Sequence, residues 1–205
     1  MEVYTTEDQQ VDAIKRWCKK YLKWVVVILV IIFAAILVKT FYHQSVSKDN
    51  LISVDNFEVI HKKLQSDEVS NDVIKNAKNY IENNKNEYSS LLNLNLSKVY
   101  VERQNYNEAI NSLDWIIHNS SDAILLNIAK VRLARLYIFN SQFDLAKNII
   151  GTIKSESWKL QKTILMGDLY TKENKFDLAK KEYLKAKKIN PNVPLINIKI
   201  SNLNK

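Results

Sequence analysis

A chain of 205 residues with only two Gly and two Pro excludes an all-β sandwich or barrel, which needs turn residues every ~8–12 positions. Its net charge of +8 does not make it a nucleic-acid binder: only Arg16, Arg103, Arg132 and Arg135 are arginines, and the lysines are spread among acids instead of forming a stripe. The single cysteine, Cys18, excludes an intramolecular disulfide.

Residues 1–23 read as a basic amphipathic tail. Val11, Ile14, Trp17 or Cys18, and Tyr21 recur at helical spacing, and Lys15, Arg16, Lys19, Lys20 and Lys23 surround them. A helix of this kind lays its basic face against anionic headgroups.

The next element is a predicted transmembrane helix over residues 24–42. Val25 to Val38 form an uninterrupted apolar run that rises only ~21 Å, short of a ~30 Å hydrocarbon core. The flanks extend it: from Trp24 to Tyr42 the rise is ~28 Å, which spans. Tyr21, Trp24 and Tyr42 suit the two interfaces, and Lys23 and Lys39 can snorkel to them. No small-residue cleavage site follows the run, so an uncleaved anchor is expected. Basic residues crowd its N-terminal side. The positive-inside rule then puts residues 1–23 in the cytoplasm and residues 43–205 across the membrane, in a bacterium the periplasm.

Residues 43–205 read as a helical repeat domain. Three segments line up: VYVERQNYNEAI from Val99, LYIFNSQFDLAK from Leu136 and LYTKENKFDLAK from Leu169. Each has an aliphatic–Tyr pair (Tyr100, Tyr137, Tyr170), an aromatic six residues later, and Ala nine residues later (Ala109, Ala146, Ala179). This resembles the tetratricopeptide repeat, a helix–turn–helix unit of ~34 residues. In the third copy Gly167, Tyr183, Ala186 and Pro191 also fall at the expected offsets, whereas the first copy is weaker, with Ser97 and Leu113 there. One helix pair cannot bury both faces, so such pairs stack and share a core. Residues 51–66 and 70–84 read as a degenerate N-terminal helix pair, with Leu51, Val54, Phe57, Ile60 and Leu64 on one face. Leu195 to Leu203 read as a C-terminal capping helix. The fold class expected is therefore all-α: one membrane helix, then a tetratricopeptide-like solenoid of about three repeats.

The first helix of each pair is expected to line a groove. The register puts Leu91, Leu94, Lys98 and Val101 there from the first repeat. Ile128, Val131, Arg135 and Ile138 follow from the second, and Gln161, Ile164, Asp168 and Thr171 from the third. Such a surface accepts an extended or helical peptide. The alternative is that the solenoid closes and these side chains are core.

No catalytic constellation emerges. His43, His61 and His118 have no metal-ligand spacing, and two glycines cannot build a phosphate loop. Asp144 and Asp177 recur at inter-helix turns, where a capping or turn role is expected. A non-enzymatic protein without cofactor or metal follows.

Five further stretches carry a specific likeness: MEVYTTEDQQVDAIKRW at the start, NKNEYSSLLNLNL from Asn84, VRLARLY from Val131, TIKSESW from Thr152 and IKISNL from Ile198. Together they resemble the YfgM family, ancillary subunits of the bacterial SecYEG translocon, over nearly the full length. The resemblance implies an inner-membrane protein with a periplasmic tetratricopeptide domain. Its implied partners are SecYEG, a membrane-anchored parvulin-type isomerase and exported client proteins, with the lipid membrane around the anchor. Two other readings compete. The tail 1–23 can hold a cytoplasmic response regulator at the membrane. An import receptor with cytosolic repeats requires the opposite orientation.

Overall fold

The computed structural model describes residues 56–203 and, nearer the N-terminus, residues 15, 17, 21, 24, 26–34, 36 and 37. The chain divides into two units, Met1–Ser53 and Val54–Lys205. In the first, all the described residues are helical and solvent-exposed. Trp17 and Tyr21 sit one turn apart with ring centroids 5.5 Å apart, so they share a helix face. Val26 to Phe33 project their apolar side chains outward. Among the described residues no helix is long and apolar enough to cross a membrane. The predicted span 24–42 lies partly outside the described residues, as do Lys23, Lys39 and Tyr42 of its expected interface.

The second unit is a run of helices. In chain order they are α1 (56–64), α2 (Asn71–Asn83), α3 (Glu87–Glu102), α4 (Tyr106–Asn119), α5 (Ala123–Phe139), α6 (Phe143–Gly151), α7 (Lys159–Lys172), α8 (Phe176–Ile189) and α9 (Pro194–Asn202). A 3₁₀ turn, Glu156–Trp158, leads into α7. The expected repeats are the pairs α3/α4, α5/α6 and α7/α8. The degenerate N-terminal pair is α1/α2, in which Phe57 and Leu64 are buried and Ile60 half-buried. Leu51 and Val54 of that expected face lie outside the described residues. The capping helix is α9, begun by Pro194 at a position where its missing N–H costs nothing.

The three repeat turns are built alike. Gln104, Ser141 and Asn174 each take left-handed φ, 58°, 59° and 60°. In each, the next residue's N–H reaches back to the repeat tyrosine's carbonyl: Asn105 to Tyr100, Gln142 to Tyr137 and Lys175 to Tyr170, all at 2.8 Å. This satisfies an end carbonyl of the first helix and reverses the chain. The left-handed region costs a non-glycine residue ~1–2 kcal/mol, whereas glycine adds ~0.5–1 kcal/mol of unfolded-state entropy. Ser141→Gly should therefore raise stability by about 0.5–1 kcal/mol in urea denaturation.

Helix starts use side chains unevenly. Asp122 Oδ1 accepts from the Ile124 and Leu125 N–H groups at 2.7 and 2.9 Å, and Asn86 Oδ1 accepts from Ser89 N–H at 3.1 Å. The capping expected of Asp144 and Asp177 does not occur: no side chain caps α6 or α8. Both aspartates lie inside the first turn, where their charge favours the positive end of the helix dipole.

The core is three successive clusters. One spans α1 to α5 around Leu92, Leu96, Leu113, Ile116 and Leu133. The next joins α5 to α7 through Ile150, Ile153, Leu165 and Leu169. The last joins α7 to α9 through Ile164, Tyr183 and Ile196. The repeat tyrosines link them: Tyr137 packs on the first and second clusters, Tyr170 on the second and third. The repeat alanines Ala109, Ala146 and Ala179 are wholly buried. A methyl group there lets the second helix of each pair lie close to its neighbours.

Candidate functional site

The C-terminal halves of α3, α5 and α7 share one face, and two hollows lie along it. The first, of 540 Å³, is walled by Lys98, Val101 and Glu102 of α3, Tyr106 of α4, and Arg132, Arg135 and Phe139 of α5. The second, of 410 Å³, runs from Arg135, Ile138 and Phe139 past Asp168, Thr171 and Lys172 of α7 to Phe176 and Tyr183 of α8. Lys199, Asn202 and Leu203 of α9 close its far end. Arg135 and Phe139 belong to both, so the two hollows adjoin at these side chains.

The structure gathers six of the residues expected to line the groove. Lys98, Val101 and Arg135 line the first hollow, and Arg135, Ile138, Asp168 and Thr171 the second. The other six line neither. Leu94, Val131 and Ile164 are buried in the clusters, Leu91 and Ile128 are half-buried against the first, and Gln161 is exposed. The register therefore mixes residues that line the hollows with residues packed into the core. Up to mid-helix these positions pack inward; over the last two turns they reach the hollows, although Ile138 does so as a buried member of the second cluster.

Residues outside that register supply much of the site. Phe139 is 62% exposed and packs its ring against Tyr106, with centroids 5.1 Å apart. It follows Ile138 directly, where the other repeats carry Glu102 and Lys172. An aromatic at a position otherwise charged was its available signal. Tyr106 and Phe176 were visible as the recurring aromatic, but the register assigned them no place in the groove; Phe176 is 47% exposed. The contribution of α9 had no signal, because no repeat position maps onto it.

The floor of the second hollow is a tight polar network. Asp168 Oδ1 accepts from Lys199 Nζ at 2.6 Å and from Tyr183 Oη at 2.7 Å. Thr171 Oγ1 lies 3.2 Å from Tyr183 Oη and donates to the Gly167 carbonyl at 2.8 Å. Lys199 Nζ also stands 5.7 Å from the centre of the Tyr183 ring. Burial first, and then the bond to Asp168, push the Tyr183 hydroxyl well above its usual value. Its neutral form is thus favoured in the folded state. The stability this contributes is present below pH ~10 and is lost as pH rises beyond, where the unfolded chain releases the proton. Tyr183→Phe should flatten the alkaline arm of the stability–pH curve above pH ~10, as read by urea midpoints.

Cations predominate on this face. Lys98 pairs with Glu102 at 3.6 Å, and Lys199 with Asp168 at 2.6 Å, so both acids of the hollows are engaged. Arg132 Nη1 donates to the Leu94 carbonyl at 3.0 Å. Burial, and then the like charge of Arg135, hold the Arg132 guanidinium below its usual value. Among the described residues no three His, Cys, Asp or Glu side chains come together as a metal site.

Stacked helix pairs presenting a continuous, mainly apolar face with scattered cations define an interaction module of the helical-repeat class. The chain belongs to the family described as tetratricopeptide repeat-like domain, whose model matches residues 15–205. It is 29% identical over 180 residues to the ancillary SecYEG translocon subunit of Buchnera aphidicola subsp. Acyrthosiphon pisum, covering 86% of this chain and 92% of the relative. It is 28% identical over 187 residues to the protein of the same name from Aggregatibacter actinomycetemcomitans, covering 88% of each chain. The Escherichia coli K12 protein of that name is 29% identical over 158 residues, covering 77% of this chain and 76% of the relative. These relatives bear out the resemblance read from the sequence. No solved structure matches the chain.

Proposed function

We propose that this protein is an inner-membrane scaffold associated with the SecYEG translocon, which assists exported proteins by binding their emerging segments. The observation that carries this reading is the likeness, over most of the chain, to relatives named as ancillary translocon subunits, with the family model matching residues 15–205. The hollows around Phe139 support it, because an open apolar face on a repeat domain suits an extended or helical peptide.

In this reading residues 1–23 are cytoplasmic, 24–42 span the membrane and 43–205 face the periplasm. The outward apolar side chains of Val26 to Phe33 support the anchor. The excess of lysine before the run supports the orientation. Tyr21 and Trp24 on one side, and Tyr42 on the other, meet the headgroups, with Lys23 and Lys39 beside them. A membrane-anchored parvulin-type isomerase is a further partner on the periplasmic side. The protein performs no catalysis of its own.

A photo-crosslinking residue in place of Ile31 should capture SecY-type subunits at native expression level, and one in place of Phe139 should capture exported chains. Absence of both adducts overturns the proposal. A cysteine in place of Ser120 should react with an impermeant reagent in intact spheroplasts; protection there reverses the topology.

A further inference from the structure

We infer that the adjoining hollows select extended peptide segments in which an acidic side chain lies between large apolar ones, the carboxylate pairing with Arg135 and the apolar groups seating on either side of Phe139. This rests on the peptide-binding reading above and names the class of segment that the site prefers.

The charge balance of the site carries the argument. Glu102 and Asp168, the acids of the two hollows, are already paired with Lys98 and Lys199. Arg135 and Lys172 have neither an ion pair nor a hydrogen bond among the described residues. Arg132 spends one donor on a backbone carbonyl and has no acidic partner either. A face that is otherwise apolar therefore holds three positive charges that its own acids leave uncompensated. Burial first, and then the like charge of Arg135, lower the proton affinity of Arg132, so the two guanidinium groups repel each other. A carboxylate set beside Arg135 relieves that repulsion and can accept two parallel N–H bonds from its planar fork.

Position decides what flanks the carboxylate. Arg135 belongs to both hollows, one turn from Phe139 on the same helix face. The first hollow offers Val101 and Tyr106 as apolar wall, the second Ile138 and Phe176. A segment crossing this junction meets apolar surface, then a cation, then apolar surface. A strand presents alternate side chains to one face, so two bulky residues around one acid match that order. Phosphate is the competing anion, and a bare phosphate group leaves the apolar walls unused.

The test uses the full chain in lipid nanodiscs made of zwitterionic lipid. Three fluorescein-labelled peptides share two phenylalanines, spaced by serines, around a central glutamate, glutamine or lysine. Fluorescence anisotropy should show the glutamate peptide bound about tenfold more tightly than the glutamine one, the scale of one charge-assisted hydrogen-bonded pair. Arg135→Gln should abolish that difference, Arg135→Lys should retain part of it, and Arg135→Glu should turn the preference to the lysine peptide. Arg135 is exposed and without partners among the described residues, so these variants fold, which circular dichroism verifies. Phe139→Ala should weaken the glutamate and glutamine peptides alike. If wild type binds these two equally while Phe139→Ala weakens both, the acidic preference is wrong and the peptide groove stands. If no peptide binds, or Phe139→Ala changes nothing, the groove reading fails and this inference with it. Displacement of the glutamate peptide by oligothymidylate or by phosphatidylglycerol vesicles at lower concentration than by unlabelled peptide, with loss of that competition in Arg135→Gln, overturns it in favour of a phosphate ligand.

Discussion

Gly167→Ala is expected to destabilise the repeat domain by about 2 kcal/mol and lower its midpoint of thermal unfolding by ~4–8 °C. A methyl carbon added at this position would stand 2.6 Å from Cδ1 and 2.9 Å from Cζ of Tyr183. Real side chains do not approach so closely, so the ring or the backbone must move. The ring is poorly able to do so. It is 2% exposed, and its hydroxyl is tied to Asp168 at 2.7 Å. Overpacking of this kind costs ~3 kcal/mol, and the better helix propensity of alanine returns ~1 kcal/mol. Gly151 is the internal control: it too is helical, and nothing lies within 4 Å of an added methyl group there. Gly151→Ala should therefore be neutral or stabilising by up to ~1 kcal/mol. Thermal melts of the two variants separate steric conflict from helix propensity. Equal shifts would show that the approach of α7 to α8 is not what Gly167 serves. In a Tyr183→Leu background the cost of Gly167→Ala should shrink, which a double-mutant cycle measures.

The second large effect is expected at the C-terminal cap. Ile196 is 1% exposed, and it seals the last cluster with Tyr183, Ala179 and Ala186. Ile196→Ala removes that seal and should cost ~2–3 kcal/mol, below the worst core truncations because an end helix can settle into the space. The loss should also be local. In a stacked repeat each cluster is stabilised mainly by its neighbours, so α8 and α9 should lose amide protection well before α3 to α5. Hydrogen exchange followed by mass spectrometry reads this directly. Uniform loss of protection would mean that the domain unfolds as one cooperative block. Because Lys199, Asn202 and Leu203 close the second hollow, the same variant should also weaken binding of the proposed peptide, which crosses both hollows.

Helix order and pairing were legible because they depend on short-range pattern. The spacing from Tyr137 to Ala146, and again from Tyr170 to Ala179, repeats the geometry of one helix pair. The structure places those pairs at the residues that the pattern indicates. Gly167 was recognisable as a point of close helix approach for the same reason, since the pattern wants a small residue there; that it faces Tyr183 came from the structure. The lining of the hollows was legible only in part. The register assigned one helix face to it, and Leu94, Val131 and Ile164 lie on that face yet are buried. Whether a residue on a given face meets a neighbouring helix or solvent depends on how the pairs stack, which no local period encodes. Asp144 and Asp177 mark a similar limit: a side chain of capping type near a helix start does not make a cap unless it occupies the half-turn outside the helix.

Sequence by itself therefore determined the all-helical class, the repeat unit, the family and the apolar run near the N-terminus. Each is written in composition or in residue spacing within one or two helices. Only the tertiary structure decided which turns of α3, α5 and α7 open onto hollows. It also brought Phe139 and Arg135 together where the two hollows meet, and it swung α9 across to bind Asp168 through Lys199. These are contacts between residues as much as 31 positions apart, set by packing of one cluster on the next. Cluster packing is governed by side-chain volume and shape, and those act across helices that the linear pattern leaves unrelated.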